Sequence, residues 1–278
     1  MSEDKVAEVA ERYYDSDDAD AFYFHVWGGE DIHIGLYEHP DERIFDASQR
    51  TTAAVAQRLD LSADDHILDL GAGYGGAARW MAKTYGCKVT CLNLSDVQNE
   101  RNRKLSADQG LGPLIEVVHG AFESLPFPDG AFDHVWSQDS FLHSGDKPRV
   151  IREAARVTKP GGHVVFTDPM QADDVPDGVL EPVLARIHLD HLGSFALYRR
   201  LAGEAGLEVV SIEDLTEQLP THYARVGAVL ESLRGELEGK VVSREYLDRM
   251  LTGLSHWVKA GRAGHLAWGI IDLKKPAA

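Results

Sequence analysis

The stretch His66-Ile67-Leu68-Asp69-Leu70-Gly71-Ala72-Gly73-Tyr74-Gly75-Gly76 runs from an apolar segment through an acid into a glycine-rich turn. Ala77-Ala78-Arg79-Trp80-Met81-Ala82-Lys83 then carries a helical pattern. Strand, acid, Gly-x-Gly-x-Gly and helix in that order describe the first β-α unit of a nucleotide-type fold. Glycine lets the backbone turn sharply and lets a ligand approach the main chain. Gly71, Ala72 and Gly73 are therefore candidate ligand contacts. Glycines alone do not choose the ligand, because the same pattern serves as a structural turn or in other nucleotide sites. Asp69 narrows the choice. A dinucleotide places its pyrophosphate against the helix N-terminus, where an anion is favoured, and a carboxylate at the turn repels it. Asp69 suits a ligand with a cationic end, such as the α-amino group and sulfonium of S-adenosylmethionine.

Downstream the pattern alternates. Strands are predicted near 66–70, 87–93, 115–118, 132–137 and 162–168, and helices near 75–85, 96–109 and 147–157. Pro160-Gly161-Gly162 turns the last of these helices into its strand. Alternation of this kind implies right-handed crossovers, hence an α/β fold with a Rossmann-like parallel sheet and helices on both faces. Upstream, residues 3–13 and 46–59 read as helices. Between them lie the polar run Asp15-Ser16-Asp17-Asp18-Ala19-Asp20 and an aromatic cluster of Phe22, Tyr23, Phe24, Trp27 and Tyr37. After 168 the rhythm changes: helical patterns at 177–192 and 194–205, a strand at 207–214, helical patterns at 218–237 and 243–260, and a last strand at 265–273. A plain seven-stranded sheet of this type joins its final two strands by a short hairpin. A helical insert there predicts a lid over the substrate end. The 278 residues are read as one domain: an N-terminal cap at 1–60, a cofactor-binding core at 61–170, and lid inserts with the last strands at 171–278.

Composition restricts the partners. The chain has 28 Lys and Arg against 45 Asp and Glu, a formal charge of −17. Such a field opposes nucleic acid and anionic membrane surfaces. The acids are spread along the chain, as a solvated surface or as adaptation to a salt-rich cytoplasm. The two cysteines, Cys87 and Cys91, fall within one predicted strand, on one face and buried, which argues against a disulfide or a metal site. No secretory pattern and no bilayer-length apolar run occurs, so a reducing cytoplasm is the expected compartment.

Ligand sites of open α/β sheets lie beyond the strand C-termini. Asn93 ends the second strand, where a side chain reads the ribose hydroxyls, and its amide can both donate and accept. Gln98, at the start of the next helix, can reach the same sugar. The segment Gly120-Ala121-Phe122-Glu123-Ser124-Leu125-Pro126-Phe127-Pro128-Asp129-Gly130-Ala131-Phe132-Asp133 follows. Together with the Asp69 turn and Ala155-Arg156-Val157-Thr158-Lys159-Pro160-Gly161-Gly162, it resembles the class I S-adenosylmethionine-dependent methyltransferases over about residues 60–170. Their acid at the adenine amine is replaced by Ala121 here, which leaves that contact to backbone groups and to Phe122.

A narrower resemblance runs through nearly the whole chain. Tyr13-Tyr14-Asp15-Ser16-Asp17-Asp18 and the segment Tyr23 to His33 look like the N-terminus of small-molecule methyltransferases, among them sterol C-methyltransferases, cyclopropane synthases and phosphoethanolamine N-methyltransferases. Further matches are Cys91-Leu92-Asn93, Val97-Gln98-Asn99, Trp136-Ser137-Gln138-Asp139-Ser140-Phe141-Leu142-His143-Ser144, Thr167-Asp168-Pro169-Met170, Gly193-Ser194 and His256 to Gly264. These are similar to the sarcosine/dimethylglycine N-methyltransferases of glycine betaine synthesis. The resemblance implies a seven-stranded class I methyltransferase sheet and S-adenosylmethionine as cofactor. It implies small amines, sarcosine and N,N-dimethylglycine, as substrates and betaine as product. Cofactor contacts would fall at Asp69, Gly71, Ala72, Gly73, Asn93, Leu94, Gln98, Ala121, Phe122 and Gln138. Tyr14, Asp139 and His143 would form the catalytic group.

If a helical turn starts after strand four, Asp139 and His143 share a face. His143 could then take a proton from an incoming ammonium, or bind the cofactor carboxylate or cap a helix. Trp27, Tyr37 and Phe141 could form an aromatic wall for an amine that gains charge. Met170 is the further substrate candidate. For the substrate carboxylate the candidates are Arg186, Arg225 and Arg262, with His188 and His222 nearby, and spacing does not choose among them. The rival readings are a C- or O-methyltransferase on an apolar sterol or isoprenoid metabolite, marked by an apolar tunnel without a buried Arg, and a protein that senses S-adenosylmethionine without turnover. No metal is implied, since no spacing such as His-Glu-x-x-His occurs.

Overall fold

Apolar stretches capped by turns become parallel strands, and the helices between them pack on both sheet faces. The computed structural model describes residues 17–277 apart from Gly28, His188, Asp190 and Val241, and apart from the side chains of Asp17, Asp20, Ala21 and Arg186. Two helices come first, α1 (Asp17–Val26) and α2 (Ile44–Ala56). The core then follows as β1 (His66–Leu70), α3 (Gly76–Tyr85), β2 (Lys88–Asn93), α4 (Asp96–Asp108), β3 (Ile115–His119), β4 (His134–Gln138), α5 (Lys147–Val157) and β5 (His163–Thr167). After it come β6 (Met170–Gln171), α6 (Glu181–Ile187), α7 (Phe195–Glu204), β7 (Glu208–Asp214), α8 (Gln218–Leu237), α9 (Arg244–Arg262), β8 (Leu266–Ala267) and β9 (Gly269–Lys274).

Seven strands pair in the order β3-β2-β1-β4-β5-β9-β7. β1 to β5 are mutually parallel, and β9 runs antiparallel between β5 and β7. The order turns back beside β1 and β4, so the crevice for a ligand opens at the C-terminal ends of those strands. Local signals hold the crossover helices in place. Ser95 caps α4 by accepting from the Gln98 N–H, and Asp146 caps α5 by accepting from the Arg149 N–H. One apolar cluster, with Leu68, Val135, Ile151 and Tyr198, lies on one face; another, with Ile67, Val89, Met81 and Val55, lies on the other. Cys87 and Cys91 are buried and unbridged; Cys87 stands one residue before β2.

A third cluster sits above the sheet. It joins Phe22 of α1 and Trp27 just after it with Leu219, Tyr223 and Val226 of α8 and Met250 and Trp257 of α9. The insert between β7 and β9 is thus a helical pair packed with the N-terminal cap. Among the described residues no helix is long and apolar enough to cross a membrane.

Several elements differ from the sequence reading. The acidic run at Asp17–Asp20 opens α1, because acids are favoured in the first turn of a helix. The helix expected at 177–192 is confined to α6. The expected last strand is two, broken at Trp268. Leu215 donates to the Trp268 carbonyl at 2.9 Å, and the Trp268 N–H reaches Thr216 Oγ1 at 3.2 Å. The first piece pairs with β6 in a separate antiparallel ribbon. The break matters because it sends the Trp268 indole toward the crevice.

Candidate functional site

Beyond β1 the chain turns tightly. Gly71 has φ +76°, and a Cβ there would stand 2.3 Å from Ser140 Oγ, so glycine is required at this position. The turn opens a concave cavity beside the strand ends. Asp69, Gly71, Ala72, Gly73, Asn93, Leu94, Gln98, Phe122 and Gln138 line it. Ala121 does not, although Gly120 and Phe122 on either side do. Asn93 Nδ2 donates to Gln98 Oε1 at 3.0 Å, so the two amides proposed for the sugar already work as a pair. Gln138 Oε1 accepts from Thr52, while its buried Nε2 has no partner among the described residues. An orphan donor in a cavity wall is a place for a ligand's acceptor.

The far wall comes from the end of the Tyr23 to His33 segment, to which the sequence assigned no contact. Glu30, Asp31, Ile32 and His33 cross the cavity mouth. They are stapled to the core: Arg79, itself buried, pairs with Glu30 at 2.6 Å, and the Ile34 N–H donates to Asp139 at 2.6 Å. His33 lies 3.6 Å from Asp31. Burial opposes a charged His33, but the Asp31 and Asp139 carboxylates outweigh it and raise its pKa above the ordinary value. Asp69 has only partial relief, from His33. Burial, with Asp31 adding to it against His33, pushes its carboxyl up to about 7. A cationic ligand beside Asp69 would relieve that penalty.

A second, smaller chamber meets the first. Ile32, Asp139 and His143 line both. Its other walls include Tyr23 and Trp27 from the cap and Tyr223 and Trp257 from the lid. Trp257 stacks on Tyr223 with ring centroids 4.9 Å apart, and Tyr23 stands 5.3 Å from Trp27. Aromatic faces that converge on a small space favour a cation.

Asp139 and His143 are placed differently from a shared helical face. Asp139 has φ +52°, and the helical turn is a 3-10 turn that begins only at Phe141. The left-handed backbone is held because three donors converge on the carboxylate: Ile34 N, Thr167 Oγ1 at 2.7 Å and Trp268 Nε1 at 2.7 Å. The turn with His143 is clamped from beneath. Asp168 accepts the Leu142 N–H at 2.7 Å and the Tyr198 hydroxyl at 2.6 Å, and the buried Lys147 ammonium donates to the Ser144 carbonyl at 3.0 Å.

The remaining candidates lie elsewhere. Tyr37 is behind the chamber, its hydroxyl 2.9 Å from His222 Nδ1. Met170 and Phe141 are in the sheet core, where Phe141 packs against Phe122 and Phe166. Arg225 bonds the Glu42 carbonyl at 2.9 Å and lines neither cavity. Tyr14, His188 and the Arg186 side chain fall outside the described residues; Ile187, beside Arg186, lines the chamber. Tyr223 reads only as a helical apolar position and Trp257 only as part of a matched segment, since nothing local marks which helical positions face a cavity.

A family model described as a methyltransferase domain matches residues 68–166, the span that supplies most of the first cavity's lining. The chain is 54% identical, over 98% of its length and 99% of the relative's, to a sarcosine/dimethylglycine N-methyltransferase of Aphanothece halophytica. The chain belongs to this N-methyltransferase family. It is also 57% identical, over 96% of its length, to a glycine/sarcosine/dimethylglycine N-methyltransferase of Actinopolyspora halophila, of which it spans 47%. The crystal structure of a protein proposed to be a sarcosine dimethylglycine methyltransferase from Galdieria sulphuraria superposes with a TM-score of 0.90 at 44% identity, covering 96% of this chain and 100% of that one.

Proposed function

We propose that this enzyme transfers methyl groups from S-adenosylmethionine to sarcosine and N,N-dimethylglycine, with glycine betaine as the final product. The observation that carries the reading is the wall of Ile32, Asp139 and His143 shared by two chambers, one with a strained acid and the other aromatic. The residues present fit S-adenosylmethionine. Asp69 offers a carboxylate whose burial is relieved by an ammonium group, Gln138 Nε2 offers a donor for a carboxylate, and Asn93 with Gln98 offers paired amides for a diol. When bound, this cofactor supplies an electrophilic methyl group for in-line displacement by the amine nitrogen.

The chain's own residues do the rest. Tyr23, Trp27, Tyr223 and Trp257 give an amine gaining positive charge a set of ring faces, an attraction that strengthens toward the transition state. His143 stands where the two chambers meet and takes the proton of the incoming ammonium, while Asp139 holds the cap segment against the sheet through Ile34. Alignment across the shared wall supplies most of the acceleration. An apolar tunnel without a buried Arg would mark the rival sterol or isoprenoid reading; among the described residues no Arg lines the chamber, but Asp139 and His143 do. Relatives at 54% and 57% identity support the amine.

Methyl-labelled donor is expected to label sarcosine and dimethylglycine, but not a sterol or a prenyl alcohol. kcat/KM should rise from neutral into mildly alkaline pH, because only the unprotonated amine attacks. Label on the lipid alone, or a profile that falls with pH in folded enzyme, would contradict the reading.

A further inference from the structure

An amino-acid substrate brings a carboxylate into the aromatic chamber. Among the described residues no Arg or Lys lines that chamber, and Asp139 already places a carboxyl group in its wall. A buried anion without donors is strongly disfavoured. Two neighbouring rings hold N–H groups that have no hydrogen-bond partner among the described residues, Trp27 Nε1 and His222 Nε2. Trp27 lines the chamber and is 5% exposed. Its indole nitrogen can only donate. His222 is fully buried behind it, with ring centroids 5.2 Å from Trp27 and 5.7 Å from Tyr223, both of which line the chamber.

The tautomer of His222 follows from its other side. The Gly35 N–H donates to Nδ1 at 3.2 Å, and a backbone N–H cannot accept in return. Nδ1 is thus unprotonated, and the Tyr37 hydroxyl shares its lone pair at 2.9 Å. The proton of the neutral ring lies on Nε2, turned away from the 35–37 segment. Burial, reinforced by the charge of His33, holds the ring neutral by lowering its pKa to about 3. Both orphan groups are therefore neutral donors on rings that touch.

We propose that Trp27 Nε1 and His222 Nε2 form a charge-neutral carboxylate site, which holds the acid end of an N-methylated amino acid while the aromatic faces take its amine. This rests on the amino-acid reading above. Neutral donors fit the surroundings better than a guanidinium, which would pair with the nearby Asp139. A hydrogen bond to a charged acceptor is roughly twice as strong as a neutral one, so the pair favours a carboxylate over a hydroxyl.

The test is titration of the enzyme, held with S-adenosylhomocysteine, against dimethylglycine and against N,N-dimethylethanolamine, which keeps the amine and replaces the carboxylate by a hydroxymethyl group. Wild type is expected to prefer dimethylglycine at least about tenfold. Trp27→Phe keeps a ring face and deletes the N–H; dimethylglycine should lose at least about fivefold more affinity than dimethylethanolamine does, erasing most of that preference. His222→Phe should do the same, but it also strands Gly35 and Tyr37, so Trp27→Phe decides. An unchanged preference in folded Trp27→Phe, or an equal loss for both ligands, overturns the carboxylate site and leaves the amine reading standing. Wild type that binds no dimethylglycine overturns the amine reading, and the site with it.

Discussion

Replacing His143 by Ala is expected to slow single-turnover methyl transfer at saturating donor by about 10²–10⁴-fold, with donor affinity within about threefold of wild type. The motive is position. His143 lines both chambers, and its turn is held by Asp168 below Leu142 and by Lys147 below Ser144. A side chain held at the boundary of two sites can act on the group that passes between them. A residue that only bound the cofactor would give a different signature, weaker donor affinity with the chemical step intact at saturation. A saturated rate close to wild type would make His143 a binding residue. Tyr14→Phe is expected to show the same rate loss on the strength of the family resemblance; if only His143→Ala is slow, Tyr14 has no part in proton transfer.

Asp69→Asn should weaken S-adenosylmethionine binding by at least about 10²-fold, the scale on which a buried charge pair fails when one partner is removed. The same variant should melt higher in the ligand-free state. A carboxyl raised to about 7 by burial destabilises the fold progressively as pH rises from the ordinary carboxylate range through about 7. Asn removes that penalty, so at pH 8 the melting temperature should rise by a few degrees, at about 2–4 °C per kcal/mol in a domain of this size, and near pH 4 it should be unchanged. In wild type the acid must lose its proton before it can hold a cation. Donor affinity is then expected to weaken below pH 7 and to level off above it. Calorimetric titration from pH 5.5 to 8.5, with parallel melts, reads all three effects. Unchanged affinity in folded Asp69→Asn would remove Asp69 from the site.

Much of the sheet was legible because its signals are local. Each predicted parallel strand is an apolar run ended by a turn, and Ser95 and Asp146 stand where a helix needs a cap. The cofactor side was legible for the same reason: the acid, the glycines and the strand-end amide fall where the topology needs them. The substrate side was not. Trp27 was a candidate, but Tyr223 and Trp257 come from the two lid helices, and their pattern reads as core until the lid is folded onto the cap. The segment at Glu30–His33 has no periodicity to mark it, yet it closes the cofactor cavity through Arg79 and Asp139. Asp139 itself followed from no local rule, because three donors distant in the chain hold it in a left-handed conformation.

The joined chambers are most directly tested by a crystal structure with S-adenosylhomocysteine and dimethylglycine bound together. The account predicts the homocysteine ammonium against Asp69. It predicts the dimethylamino nitrogen among Tyr23, Trp27, Tyr223 and Trp257, directed at the sulfur past the wall of Ile32, Asp139 and His143. A dimethylglycine bound elsewhere, or a nitrogen cut off from the sulfur by that wall, would contradict it.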